Sequence, residues 1–217
     1  MALPTRDDVL AAIETGFART PHPGPRFLQG SFDGCEPEEA VAPFRAFADW
    51  RRVPSDLLDA QYTALSFLSE GGFRFFLPAW LCADVRGELQ SAVPLSHLTM
   101  GFTRIAVSKT AAGRAFELSF CGSALLNPRR YGAMTFEDAA RHRLSVFCRE
   151  EAAAIVAYLR HQREEDGRLE SSRTEIDTAL TAFWERRAAA APTMDDLEAH
   201  VRSEHEYLRT LGVKEPT

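Results

Sequence analysis

The stretch FLSEGGFRFFLPAWLCADV, residues 67–85, limits the fold more than any other part of the chain. Ser69-Glu70-Gly71-Gly72 reads as a break. Pro78 lacks an N–H and clashes with the preceding turn, so it sits poorly in a helix interior. The expected arrangement is a short turn over residues 73–76 and a helix starting near Leu77, with Pro78 in its first turn. Trp80, Leu81, Val85 and Leu89 supply the buried side, and the helix ends near Gly87. Arg74 stands out, because Phe73, Phe75 and Phe76 surround it and an unpaired guanidinium is costly to bury.

The rest of the chain is mostly helical in pattern. Thr5 and Asp8 have capping-box spacing ahead of the stripe Val9, Leu10, Ile13, Phe17. TPHPGPRF ends that helix and opens a loop through residue 36. Pro37 suits the first turn of a second helix that Pro43 interrupts. Ser55 suits the N-cap of a third, with Leu58, Tyr62, Leu65 and Leu68 on one face. Residues 102–121 differ: FTRIAVS and RAFELSFCG are β-rich around KTAAG, and Phe116, Leu118 and Phe120 alternate with Glu117 and Ser119. They predict a β-hairpin, which must pack on the helices to persist. Thr135 and Asp138 cap a further helix, and a longer one runs through EEAAAIVAYLRHQREED. Two more cover roughly 171–190 and 194–210, separated by Pro192 and the capping Thr193. The expected fold is one compact, mainly α domain over residues 1–217 with a small inserted hairpin, closed by a C-terminal helix and tail over 193–217.

At 217 residues the chain is long enough to bury roughly 70% of its unfolded surface without a metal or disulfide staple. Its 25 basic and 31 acidic residues give a net charge of −6. That balance argues against general nucleic-acid or anionic-membrane binding. No uncharged run approaches the ~18 residues of a membrane span. Asp7, Asp8 and Glu14 leave no room for a signal peptide, so a cytoplasmic protein is expected. Cys35, Cys82, Cys121 and Cys148 form no CxxC pair.

Candidate chemistry is sparse. His200 and His205 are five residues apart, about 140° around a helix, whereas zinc helices space histidines at i and i+4. They read, with Glu204, as a solvated face. His142 and His161 read as surface residues. SFCGS at 119–123 is not GxSxG, and a Cys121–His142 pair has only residue type behind it. Gly71-Gly72 lacks the further glycines and lysine of a phosphate loop. Arg129, Arg130 and Tyr131 read as a solvated loop. No metal and no cofactor is expected. Arg74 needs an acidic partner, with Asp49, Glu70 and Asp84 as candidates. The simpler reading is a structural ion pair. The sharper one is an anion-binding arginine at the rim of an aromatic pocket with Asp49, Trp50 and Trp80.

LSFLSEGGFRFFLPAWL, with PHPG and Asp49-Trp50 before it, resembles a bacterial family known only as a domain of unknown function. Its members carry a segment like FLSPEAFRFYLPAYL and a later helix like LTPEQRAAIRAFLEYL, here VFCREEAAAIVAYLRHQ. ALTAFW near residue 183 is similar to a member's closing helix. The resemblance covers most of residues 9–187. The chain departs from it at Gly71-Gly72, at Cys148 where a capping Thr is common, and at the hairpin. It implies a fold and transfers no catalytic residue.

Two functions follow as expectations. One is a non-catalytic module of the immunity type that binds a protein partner, supported by acidic charge and the lack of a catalytic constellation. The other is a small-molecule binder or enzyme with an anion pocket around Arg74.

Overall fold

A computed structural model describes residues 4–103, 105–111, 114–120, 123–125, 133–165, 169–190, 192 and 194–211. Arg129, Arg130, Tyr131, Cys121 and Thr193 lie outside the described residues. The fold is mainly helical.

Helix α1 (Arg6–Gly16) opens with the expected capping box, in which the Thr5 hydroxyl accepts from Asp8 N at 3.2 Å and Asp8 accepts from Thr5 N at 2.9 Å. It lies against α8 (Arg149–Glu164) and α5 (Glu70–Arg86). The α1–α8 approach is close enough to need a glycine: a Cβ on Gly16 would lie 2.8 Å from the Glu150 carbonyl and 2.9 Å from the Ala154 Cβ. Between α1 and α5 run α2 (Glu36–Val41), a 3-10 turn over Ala42–Ala46, α3 (Ser55–Ala60) and α4 (Ala64–Phe67). Pro43 does interrupt the second helix, by converting it to that 3-10 turn. The third expected helix is two short ones, broken at 61–63, and its N-cap residue is Pro54 rather than Ser55. The break turns Tyr62 outward, 56% exposed, while Leu58, Leu65 and Leu68 stay buried.

The largest correction concerns α5. It is one helix from Glu70 to Arg86 with Pro78 inside it, and the expected turn over 73–76 is helical. Ser69 caps it by accepting from Gly72 N at 2.9 Å. Gly87, with φ +72°, ends it in the left-handed conformation. Fourteen of its residues, Gly71–Ala83 and Val85, are buried, so packing on all sides outweighs the hydrogen bond that Pro78 forfeits.

Beyond α6 (Pro94–Thr99), strands β1 (Ile105–Ala111) and β2 (Arg114–Phe120) pair antiparallel, with Ile105 opposite Phe120 and Ala111 opposite Arg114. β1 continues through Lys109, Thr110 and Ala111, which the sequence suggested as connection. A second short ribbon joins β3 (Ser123–Leu125) to β4 (Ala133–Thr135). Thr135 then caps α7 (Phe136–Leu144), accepting from Asp138 N at 3.0 Å. The chain turns at 145–147 and resumes at α8. The expected helix over 171–190 is α9 (Glu170–Ala179), a π turn over Leu180–Trp184, and α10 (Glu185–Ala189). The extra residue of that turn brings Phe183 and Trp184 to the core side by side, at 5.0 Å between rings. The last helix is α11 (Met194–Thr210).

One apolar cluster runs from Val9 to Trp184, with α5 as its axis. Three of its large members keep their polar tips satisfied, whereas the buried Trp50 Nε1 has no hydrogen-bond partner among the described residues. Trp80 Nε1 donates to Leu58 O at 3.1 Å, Trp184 Nε1 to Leu98 O at 2.9 Å, and the Tyr158 hydroxyl to Asp84 at 2.5 Å.

Candidate metal centre at the start of the buried helix

Arg74 projects from the second turn of α5 and is 5% exposed. Its partner is Glu151 on α8, which is none of the three acids expected from the sequence. The Arg74 Nε lies 3.0 and 2.9 Å from the two Glu151 oxygens. Glu151 also accepts from Cys148 N at 2.7 Å and from the Thr20 hydroxyl. It thereby caps α8 and holds the start of the first loop. The other residues proposed for an Arg74 pocket are placed elsewhere. Asp49 accepts from Arg51 N at 3.0 Å and pairs with the Arg51 guanidinium at the surface. Trp50 is buried beneath that guanidinium, 4.5 Å from its ring centroid. Trp80 is fully buried in the core, stacked at a tilt on Phe44.

A second polar cluster forms at the first turn of α5, where the sequence suggested only a break. Gly71 and Gly72 are helical, and close approach explains both. A Cβ on Gly72 would lie 2.9 Å from Leu28 O, and one on Gly71 would lie 3.1 Å from the Pro23 Cβ and 3.4 Å from Glu204. Glu204 reaches in from α11, buried to 3%. It accepts from Glu70 N at 2.5 Å and Gly71 N at 2.9 Å. A carboxylate therefore occupies the positive end of a 17-residue helix, the position the fold reserves for an anion. The solvated face expected for Glu204 is thus a docked one.

Glu70 turns its own carboxylate to the side, toward two histidines. The His200 Nε2 on α11 hydrogen-bonds one oxygen, and the His142 Nε2 on α7 is 3.8 Å from the other. The two rings are 5.3 Å apart. One ligand atom from each of Glu70, His142 and His200 lies within 4.8 Å of both others. All three side chains are partly enclosed, at 13%, 32% and 16% exposure. His142 and His200 are therefore not independent surface residues. Arg143, next to His142, lies 4.4 Å over the Phe73 ring and donates to Leu65 O. Burial pushes its guanidinium below the ordinary arginine value, against the pull of Glu70 and Glu204. The cluster sets two carboxylates, Glu70 and Glu204, against one guanidinium, Arg143.

Two imidazoles and one carboxylate from three helices form a ligand set for a borderline transition metal, with a coordination position left over. Sequence spacing gave no sign of it, because each ligand comes from a different, distant helix. His22 and His205 are packing residues. His22 sits edge-on to Phe75, 4.6 Å between rings, and its Nδ1 accepts from Gly24 N. His205 stacks on Phe27 at 3.9 Å. Cys82 and Cys148 are not activated thiols: burial first raises Cys82 to about 11, and burial with the nearby Glu151 charge raises Cys148 to about 11.

The model of a family of unknown function, DUF6714, matches residues 5–188. Neither the curated proteins nor the solved structures include a match to the chain. Arg74, Glu151, Glu70 and His142 lie within the matched residues, and His200 and Glu204 lie beyond them. The chain belongs to the family of unknown function DUF6714.

Proposed function

We propose that the protein is a metal-binding protein whose centre is Glu70, His142 and His200, with Zn²⁺ as the ion its chemistry suits. The observation that carries this reading is the convergence of three ligand atoms within 4.8 Å of one another. Ligands around tetrahedral zinc stand about 3.3 Å apart, since each bond is about 2.0–2.1 Å. Zinc then replaces the Glu70–His200 hydrogen bond with two stronger bonds. A fourth position stays open to water or an outside donor, as it does in three-ligand zinc sites.

Calorimetric titration of the EDTA-stripped chain with ZnCl2 tests the reading. One zinc per chain is expected, with at least tenfold weaker binding in His142→Ala and in His200→Ala. Absence of binding by the wild-type chain would reject it.

An anion pocket at Arg74 is the weaker reading, because a ligand there would have to displace Glu151 from a buried pair and from the α8 cap. A partner-binding module of the immunity type draws support from Met100 and Phe136, 62% and 46% exposed. Met100 precedes Gly101, where an added Cβ would lie 2.8 Å from Phe136 O, so the two segments pack closely. Its test is a partner recovered in stoichiometric amount by the wild-type chain and lost with Phe136→Asp.

A further inference from the structure

We infer that metal at this centre acts as a latch for α11, holding the C-terminal helix onto the body and releasing it when the ion is removed. The inference rests on the metal reading above. Two ligands, Glu70 and His142, belong to α5 and α7, and the third, His200, belongs to α11. An ion bound by all three ties α11 to the body, beside the helix's other contacts.

Those other contacts bury little of the helix. Among the described side chains of α11, only Leu197, Glu204 and Leu208 are buried. Neither leucine belongs to the main apolar cluster, which ends at Trp184. The attachment also includes polar and aromatic contacts at the edge, among them Glu204 on the first N–H groups of α5, His205 stacked on Phe27, and Arg209 5.6 Å over the same ring. The family match covers residues 5–188, and α11 lies beyond it. A helix held this way lies near the low end of local stability, where one coordinate bond changes its population.

Linkage sets the size and direction. An ion that needs all three ligands binds the docked state better, and docking must strengthen the ion's binding by the same factor. Free metal well above its Kd shifts the docked-to-undocked ratio by that affinity ratio. Undocking uncovers Phe27 and the first N–H groups of α5, so the latch controls access to a specific surface.

Hydrogen exchange of the full chain, read by mass spectrometry with EDTA or with ZnCl2, tests this beside the calorimetric titration. Zinc is expected to slow exchange of amides 196–210 at least tenfold in the wild type and to leave them unchanged in His142→Ala, which removes a ligand outside α11. Should His142→Ala fail to fold, CaCl2 on the wild type serves as the comparison, since calcium prefers oxygen to imidazole. Zinc that binds without slowing α11 exchange overturns the latch and leaves the metal reading standing. A chain that does not bind zinc overturns both.

Discussion

Glu151 accepts the Arg74 Nε on both of its oxygens, at 3.0 and 2.9 Å, while also accepting from Cys148 N. One buried carboxylate thus neutralises the charge of α5 and begins α8. The two side chains are 6% and 1% exposed, so each charge depends on the other for its place in the core. Removing one partner of such a pair costs about 3–5 kcal/mol, because the other is left buried and uncompensated. Arg74→Ala is expected to lower Tm by roughly 10 °C, at about 2–4 °C per kcal/mol for a chain of this size. Thermal unfolding followed by circular dichroism checks it, and an unchanged Tm would contradict a structural pair.

Glu204→Ala leaves two N–H groups at the positive end of α5 without their carboxylate. Charge-assisted hydrogen bonds of this kind are worth about 1.5–3 kcal/mol. The loss is expected to fall on α11 first, since Glu204 is one of its few buried residues. Limited proteolysis should therefore cut the variant within 194–210 sooner than the wild type, before global unfolding. Equal cutting rates would mean the cap contributes nothing to docking.

Local signals in the sequence were read correctly where the physics is local. The capping box at Thr5, the N-cap at Thr135 and the end of α5 at Gly87 depend on neighbours within a turn, and the structure has them. Pro78 misled because the cost of an interior proline is local but its compensation is not: the residues packed around α5 come from the whole chain. The same holds for the site. Arg74 signalled a buried charge through its aromatic neighbours, yet its partner lies on a helix the sequence does not place beside it. Glu70, His142 and His200 carry no shared spacing. His200 and His205 were judged as a pair on one helix, when the relevant pairing of His200 is with α5 and α7.

Gly72→Ala sets helix propensity against packing. Alanine is favoured over glycine by roughly 1 kcal/mol in a helix. Here the added Cβ would sit 2.9 Å from the backbone oxygen of Leu28 and 3.2 Å from both the Leu68 Cδ2 and the Ser69 Oγ. A backbone atom tied by its own bond to Ser69 N cannot yield cheaply. Overpacking of this kind costs about 1–3 kcal/mol. Urea denaturation should show a net loss of stability, and a gain would mean that the first loop moves freely away from α5.

His97 gives a prediction in pH. It lies on α6, 6.2 Å from Phe73, and its buried Nδ1 has no hydrogen-bond partner among the described residues. Burial first, and the charge of Arg143 second, hold its imidazole at about 4 in the folded chain. In the unfolded chain it titrates near the ordinary ~6.5. Between those values the unfolded state binds more protons, so stability must fall as pH drops from about 6.5 toward 4 and level off below. The contribution at pH 5 relative to pH 7.5 is up to about 2 kcal/mol. Urea denaturation of the wild type and His97→Leu at the two pH values isolates it from the carboxylates, which titrate in both. The wild type should lose more stability on acidification than the variant. Equal losses would place His97 in an environment that water reaches.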